Sequence, residues 1–174
     1  MDLFIRFTDA LSRLLGIVAA ILLLVAVIVV CQMVFLRYGL NESTSWQTEF
    51  VTYALIASTF LGAPYVLLTR GHVNVELVPM ALGPRARFAL AVLAYGLAAA
   101  LCLIVTWYSA LFWYEAWEGG WSSDTIWAPP LWKVYLAMPV GFAALSLQYI
   151  ADILCLLRGH EPPFGLVDTN SETA

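Results

Sequence analysis

Three ionisable side chains lie close together in the stretch TRGHVNVE, residues 69–76, between two long apolar segments. Arg70, His72 and Glu76 are residue types that could relay protons or hold a metal ion, since imidazole titrates near neutral pH and binds metals. The alternative is a short hinge, with Arg70 near lipid phosphates, His72 in a local hydrogen bond and Glu76 in water. We favour the hinge, because the apolar segments contain no second acidic, basic or histidine side chain for a proton to reach.

A second pair of ionisable residues flanks the connection between the first two apolar segments. Arg37 ends the first segment and Glu49 opens the second. The two side chains would either form an ion pair across the turn or bind another subunit, and both alternatives stay open at this point. Neither residue lies at the depth where a transport pathway through the membrane needs polar groups.

Motifs of enzymes and cofactor sites are absent from the sequence. There is no GxSxG, no HExxH and no phosphate-binding glycine loop. His72 and His160 lie outside the apolar segments, where they are poorly placed for haem, and the three cysteines are scattered without a zinc spacing. We therefore predict no enzymatic activity, no cofactor and no metal. A formal net charge of -4 without a Lys/Arg cluster also argues against nucleic acid as a partner.

The elements that must position these residues are membrane helices. The chain is 62% hydrophobic and only 11% charged, far from the composition of a soluble domain. About 20 apolar residues cross the hydrocarbon core as a helix, which satisfies its own backbone polar groups. We predict an all-α membrane protein with four transmembrane helices, at about residues 14–36, 47–69, 88–114 and 131–152.

The segments outside these spans are polar or interrupted. Residues 1–13 carry charges at helical spacing, including Asp9 and Arg13 as an i, i+4 pair, and are expected to form a cytoplasmic amphipathic interfacial helix. A short interfacial segment is expected after Glu76, and a flexible cytoplasmic tail over 153–174. Two small-residue pairs, Gly16-x-x-x-Ala20 and Gly96-x-x-x-Ala100, are candidates for close helix crossings.

The distribution of basic residues predicts the orientation of the chain. Positive residues favour the cytoplasmic side of a membrane, and tryptophans favour the boundary between headgroups and hydrocarbon. The tryptophan-rich stretch 107–132 would then lie at the outer surface, with both termini in the cytoplasm. Six of the eight Lys and Arg residues lie in the terminal flanks and the second connection: Arg6, Arg13, Arg70, Arg85, Arg87 and Arg158.

An ordered set of sequence features extends over roughly Leu14 to Asp152. The features are Arg37, Trp46-x-x-Glu49, Gly62-Ala63, the RGHVNVE stretch, Arg87, and SSDTIWAPPLWKVYLAMPVG with its Pro129, Pro130, Trp132, Tyr135, Pro139 and Gly141. In this order they resemble the small membrane subunit of tripartite ATP-independent periplasmic (TRAP) transporters, the DctQ-like family. One departure concerns the family's acidic pair W-x-E-E, of which Trp46-Gln47-Thr48-Glu49 keeps only the second acid.

The resemblance implies a bacterial inner-membrane protein that works with two partners. These are a large multi-span permease subunit with the solute and sodium sites, and a periplasmic substrate-binding protein that delivers organic acids or related carboxylated solutes. The small subunit looks like a fixed scaffold, held in place by membrane lipids. We expect the following residues to contact a partner or shape the rims of the bundle: Arg37, Trp46, Glu49, Arg70, His72, Glu76, Pro129, Trp132, Tyr135 and Pro139.

Two other functions stay open at the level of the sequence. The first is a self-sufficient small transporter formed by homo-oligomerisation, suggested by the size of four helices. The second is a redox anchor subunit that carries haem between its helices. Solute flux through the chain alone would support the first alternative, and a Soret band would support the second.

Overall fold

The chain is helical throughout most of its length. The computed structural model describes residues 2–69, 84–125 and 127–158. Within these ranges no β-strand forms, and four helices are long and apolar enough to cross a membrane. The predicted all-α membrane fold with four spanning helices is therefore confirmed. The helices are α1 (Asp2–Gly39), α2 (Trp46–Leu68), α3 (Pro84–Glu118), α4 (Leu131–Tyr135) and α5 (Ala137–Leu157).

Helix α1 is longer than a membrane span. Its 38 residues extend about 57 Å, against a hydrocarbon core of about 30 Å. The helix runs without a break through the residues of the expected interfacial helix and of the first span. Since the bounds of a helix do not show where the membrane surface crosses it, the interfacial position of residues 1–13 stays a prediction. One face is buried along the whole helix, and its members recur every three, four or seven residues: Thr8, Ser12, Ala19, Ala26 and Val29.

The antiparallel course of the helices gives the bundle two distinct ends. The aromatic end comprises the α1–α2 connection (residues 40–45) and the α3–α4 connection (residues 119–130), with Trp46, Trp121 and Trp127. The termini end comprises the first turns of α1 and the last turns of α2 and α5. Which side of the membrane each end faces stays a prediction.

Helix α5 forms the centre of the bundle. It packs against α1, α2, α3 and the short α4, and it contributes more buried residues than any other described helix. Helix α3 packs on α5 and α4, whereas extensive contact of α3 with α1 or α2 is lacking among the described residues. The four long helices are thus an α1–α2–α5 core with α3 attached to one side.

Small residues bring the core helices into close contact. A Cβ atom at Gly141 would lie 2.4 Å from the backbone oxygen of Phe60, so α5 can approach α2 here only because Gly141 has no side chain. A Cβ atom at Gly16 would lie 2.5 Å from Tyr65 Cγ, which confirms a close crossing at that residue. Gly96 has open space beside it, so the predicted crossing at Gly96-x-x-x-Ala100 is not formed within the described chain.

The α3–α4 connection is folded back on itself. Backbone hydrogen bonds join Trp121 N to Ala116 O (3.1 Å), Ser123 N to Pro129 O (3.2 Å) and Leu131 N to Trp121 O (2.9 Å). Gly120 takes a left-handed conformation (φ 58°), which glycine adopts at little cost. Helix α4 follows directly, and a turn at Leu136 separates it from α5. The connection is therefore a defined structural unit.

Candidate functional site

Glu49 joins the start of α2 to the α3–α4 connection at the aromatic end. One carboxylate oxygen, Oε1, accepts hydrogen bonds from the hydroxyls of Ser123 and Tyr53, the latter at 3.2 Å. The other oxygen, Oε2, accepts from the hydroxyl of Thr125 at 2.6 Å. A carboxylate in the first turn of a helix also interacts favourably with the helix dipole. Glu49, a site residue predicted from the sequence, therefore joins α2 to the α3–α4 connection.

The predicted ion pair between Arg37 and Glu49 does not form in the described part of the chain. The Glu49 carboxylate faces the α3–α4 connection, and Ser123 and Thr125 occupy its oxygens. Arg37 lies in the last turn of α1 with its side chain exposed. The first alternative, an ion pair between Arg37 and Glu49 across the turn, is therefore wrong for the described residues. The second alternative, a bond from Arg37 to another subunit, stays a prediction.

Aromatic rings extend this contact along the aromatic end. The Trp46 ring lies 6.2 Å from the Trp127 ring and 6.3 Å from Phe50, which brings the start of α2 against the connection a second time. Such edge and tilted contacts add to the apolar area that the rings bury. Trp46 is still 39% exposed, so its indole also meets the surroundings of the bundle.

The residues around α4 are held by α3. The indole nitrogen of Trp113 donates to the backbone oxygen of Trp132 at 3.0 Å. The Tyr135 ring lies 5.0 Å from Phe112. Pro129 accepts the hydrogen bond from Ser123 N, and Pro139 is buried in the first turn of α5. The structure thus gathers Pro129, Trp132 and Tyr135 beside α3 at the aromatic end.

Three of the predicted site residues cannot be placed. Arg70, His72 and Glu76 lie outside the described residues, so the choice between a hinge and a relay stays a prediction. Among the described residues, no group of three or more His, Cys, Asp or Glu side chains is close enough to hold a metal ion. The cysteines Cys31, Cys102 and Cys155 form no disulfide.

A buried polar network at the termini end was missed by the sequence analysis. Gln148 on α5 is only 1% exposed, and its oxygen accepts from the hydroxyl of Ser12 on α1 at 2.8 Å. Its amide nitrogen donates to Asp9 and to Asp152, each at 3.3 Å. An amide is costly to bury without partners, and a lone glutamine in an apolar segment was the available signal.

Serine and threonine hydroxyls in the middle of the bundle donate to carbonyl oxygens three or four residues earlier in their own helix, as Thr59 does to Leu55 and Thr106 does to Cys102. Between α2 and α5 the contact is made by backbone at Gly141 and by the tilted rings of Phe60 and Phe142, whose centroids are 5.6 Å apart. Chemically, the arrangement is suited to holding helices in place.

The comparison with known protein families gives one clear result. The family described as "Tripartite ATP-independent periplasmic transporters, DctQ component" matches residues 26–159, which is well over half of the chain. The matched range includes Arg37, Trp46 and Glu49 at the aromatic end and Gln148 at the termini end. No curated protein and no solved structure matches the chain. The chain is therefore a member of the DctQ family, the small membrane components of tripartite ATP-independent periplasmic transporters.

Proposed function

We propose that this multi-pass membrane protein is the fixed scaffold subunit of a sodium-coupled importer of organic acids or related carboxylated solutes. It is non-catalytic and does not itself carry the solute. The observation that supports this proposal best is the distribution of polar contacts between elements. They lie at the two ends, around Glu49 and Gln148, and the middle is packed by small and apolar residues.

A solute pathway needs polar groups that face it at mid-membrane depth, because a charged or hydrogen-bonding solute must exchange its water for protein groups there. The serine and threonine hydroxyls of the described mid-helix residues are already bonded within their own helices. The helices are also cross-linked at both ends by hydrogen bonds between distant parts of the sequence. A body of this kind resists the internal rearrangement that alternating access requires.

The proposal assigns movement and solute binding to the partners. A large permease subunit would carry the solute and sodium sites and move against this chain, and a periplasmic binding protein would deliver the solute. In the bacterial inner membrane, with both termini in the cytoplasm, the aromatic end would face the periplasm. Tryptophan and tyrosine rings at that level resist displacement along the membrane normal, which suits a static subunit.

Reconstitution tests this function directly. The chain alone, and the chain together with the large permease subunit and the binding protein of the same transporter, are placed in liposomes with a sodium gradient. Uptake of a carboxylated solute is expected only with all three components, and the small chain should co-purify with the permease. Sodium-driven uptake by the chain alone, or full uptake without it, would contradict the proposal.

A further inference from the structure

A groove between α1 and α2 opens at the surface of the bundle near the termini end. It has a volume of about 520 Å³, and its lining includes Arg13, Gly16 and Ala20 from α1 and Tyr65 and Thr69 from α2. Arg13 and Ala20 are seven residues apart on one helix, so the groove extends about 10 Å along α1. Its lining is mainly apolar, with the charged Arg13 at one end.

The shape of the groove follows from two small residues. Gly16 has no side chain, and the Tyr65 ring therefore packs directly on the α1 backbone. Ala20, one turn further along, has only a methyl group and is exposed. The shallow floor formed by Gly16 and Ala20 lies beside the Tyr65 ring, and this space has a width suited to a linear hydrocarbon chain.

Arg13 is a positive charge without a negative partner in the described chain. Asp9, the carboxylate expected to pair with it at i, i+4, accepts its hydrogen bond from Gln148 of α5 instead. The predicted Asp9–Arg13 pair is not formed among the described residues, and Asp9 contacts Gln148 instead. An exposed guanidinium beside an apolar groove is suited to a phosphate group, to which it can donate two parallel hydrogen bonds.

Two hydroxyl groups lie on the opposite wall of the groove. The Tyr65 side chain is 41% exposed, and its hydroxyl has no hydrogen-bond partner in the part of the chain that the structure describes. The Thr69 hydroxyl donates to the backbone oxygen of Tyr65 at 3.0 Å, so its oxygen can accept but its proton is engaged. The Tyr65 hydroxyl is therefore free to donate to a polar group of a ligand in the groove.

We propose that this groove binds an anionic phospholipid. The lipid phosphate contacts the Arg13 guanidinium, and one acyl chain lies over Gly16 and Ala20 beside the Tyr65 ring. An anionic headgroup matches the unpaired charge of Arg13, whereas a zwitterionic headgroup brings its own ammonium group to compensate the phosphate. The inference does not depend on the scaffold role, because it concerns only the lipid that occupies the α1–α2 surface.

Native mass spectrometry of the purified full-length chain tests the site. The probe lipids are dioleoyl phosphatidylglycerol and dioleoyl phosphatidylcholine, which have the same acyl chains and differ in net charge. We expect one phosphatidylglycerol to be retained in preference to phosphatidylcholine. The Arg13→Gln variant should lower its retention about fivefold, the effect of removing one basic contact to an anionic lipid. Arg13→Lys should retain most of it.

Two further variants separate this site from general attraction of lipids. Arg6→Gln removes the same charge from the same helix, but Arg6 does not line the groove, so retention should be unchanged. Ala20→Phe fills the groove without altering the charge and should reduce retention, with helicity checked by circular dichroism. Equal loss in Arg6→Gln and Arg13→Gln, undiminished binding in Ala20→Phe, or equal retention of the two lipids would each overturn the proposal.

Discussion

Glu49 and Gln148 each join their own helix to one other element, one residue at each end of the bundle. Glu49 holds the α3–α4 connection through Ser123 and Thr125, and Gln148 holds α1 through Ser12 and Asp9. In both cases a single side chain accepts or donates several hydrogen bonds. Removing it leaves more than one partner unsatisfied, which costs more than the loss of one average hydrogen bond.

Replacing Glu49 with alanine should loosen the α3–α4 connection. Ser123 and Thr125 lose their common acceptor, and the residues 119–130 should become accessible to protease in detergent micelles. Glu42→Ala is the matched control, because Glu42 is exposed in the neighbouring connection and its backbone nitrogen, not its side chain, makes the hydrogen bond. Cleavage of the connection at the same rate in both variants would show that the carboxylate does not hold it.

Replacing Gln148 with leucine should destabilise the bundle at the other end. Leucine has a similar size but leaves the buried Ser12 and the Asp9 carboxylate without the amide, at a cost of about 2 kcal/mol. Gln32→Leu is the control, since Gln32 is an exposed amide on α1 outside the network. Unfolding by denaturant in micelles measures the stability of both variants. The single variant Ser12→Ala and the double variant Ser12→Ala with Gln148→Leu then measure the coupling between Ser12 and Gln148. Additive losses from the two single variants would exclude the coupling.

The sequence could identify Glu49 as a site residue but not its partners. Arg37 was the nearest opposite charge along the chain, whereas Ser123 and Thr125 are 74 and 76 residues away from Glu49 and carry no charge. Neutral hydroxyl donors leave no pattern in one sequence. Gln148 was visible as the only amide in the fourth span, but its partners Ser12 and Asp9 lie at the opposite end of the sequence, and only the packing of α1 against α5 brings them together.

At the scale of helices, the composition of the segments predicted the four spanning helices that the structure contains. Long apolar runs identified the spans, because a helix is the structure that satisfies the backbone in hydrocarbon. The turn at Leu136 between α4 and α5 was not predictable, since no glycine or proline lies at that position. The unbroken course of α1 from Asp2 to Gly39 agrees with the lack of proline in that range. Pairing of helices was the least predictable feature.

Glycines illustrate why helix pairing escapes the sequence. Gly96 and Gly141 both lie in apolar helices, yet only Gly141 meets another backbone, that of Phe60. A small residue permits another helix to come close, but it does not determine which helix packs there. The glycine that mattered most in the core was therefore not among the small-residue pairs singled out from the sequence.

The two glycines give a direct test of the packing. Gly141→Ala should push α5 away from α2 and cost about 2 kcal/mol, because the added methyl group meets backbone atoms that cannot move aside. Gly96→Ala adds the same methyl group in open space and should be neutral or slightly stabilising, since alanine favours helix. Denaturant unfolding in micelles compares them, and equal effects would contradict the close contact of α2 and α5.

At the scale of the whole molecule, the helices form a three-helix core with α3 attached through α5. Large apolar side chains on α1 and α3 are more than half exposed, such as Leu24 and Leu97, and in a membrane they meet lipid or the permease. Contacts at both ends and close packing in the middle make the core a single body. A single body of this kind is what the proposed scaffold role requires.

The most direct test of the scaffold role measures distances inside the working transporter. Spin labels are attached at Leu24→Cys on α1 and Leu97→Cys on α3, in a chain whose native cysteines are replaced by serine. Electron paramagnetic resonance then measures the distance between the two labels. In the assembled complex this distance should stay the same with and without sodium and solute, while the distance from either label to the solute-binding part of the permease changes. A change within the small subunit as large as that between the subunits would contradict the account.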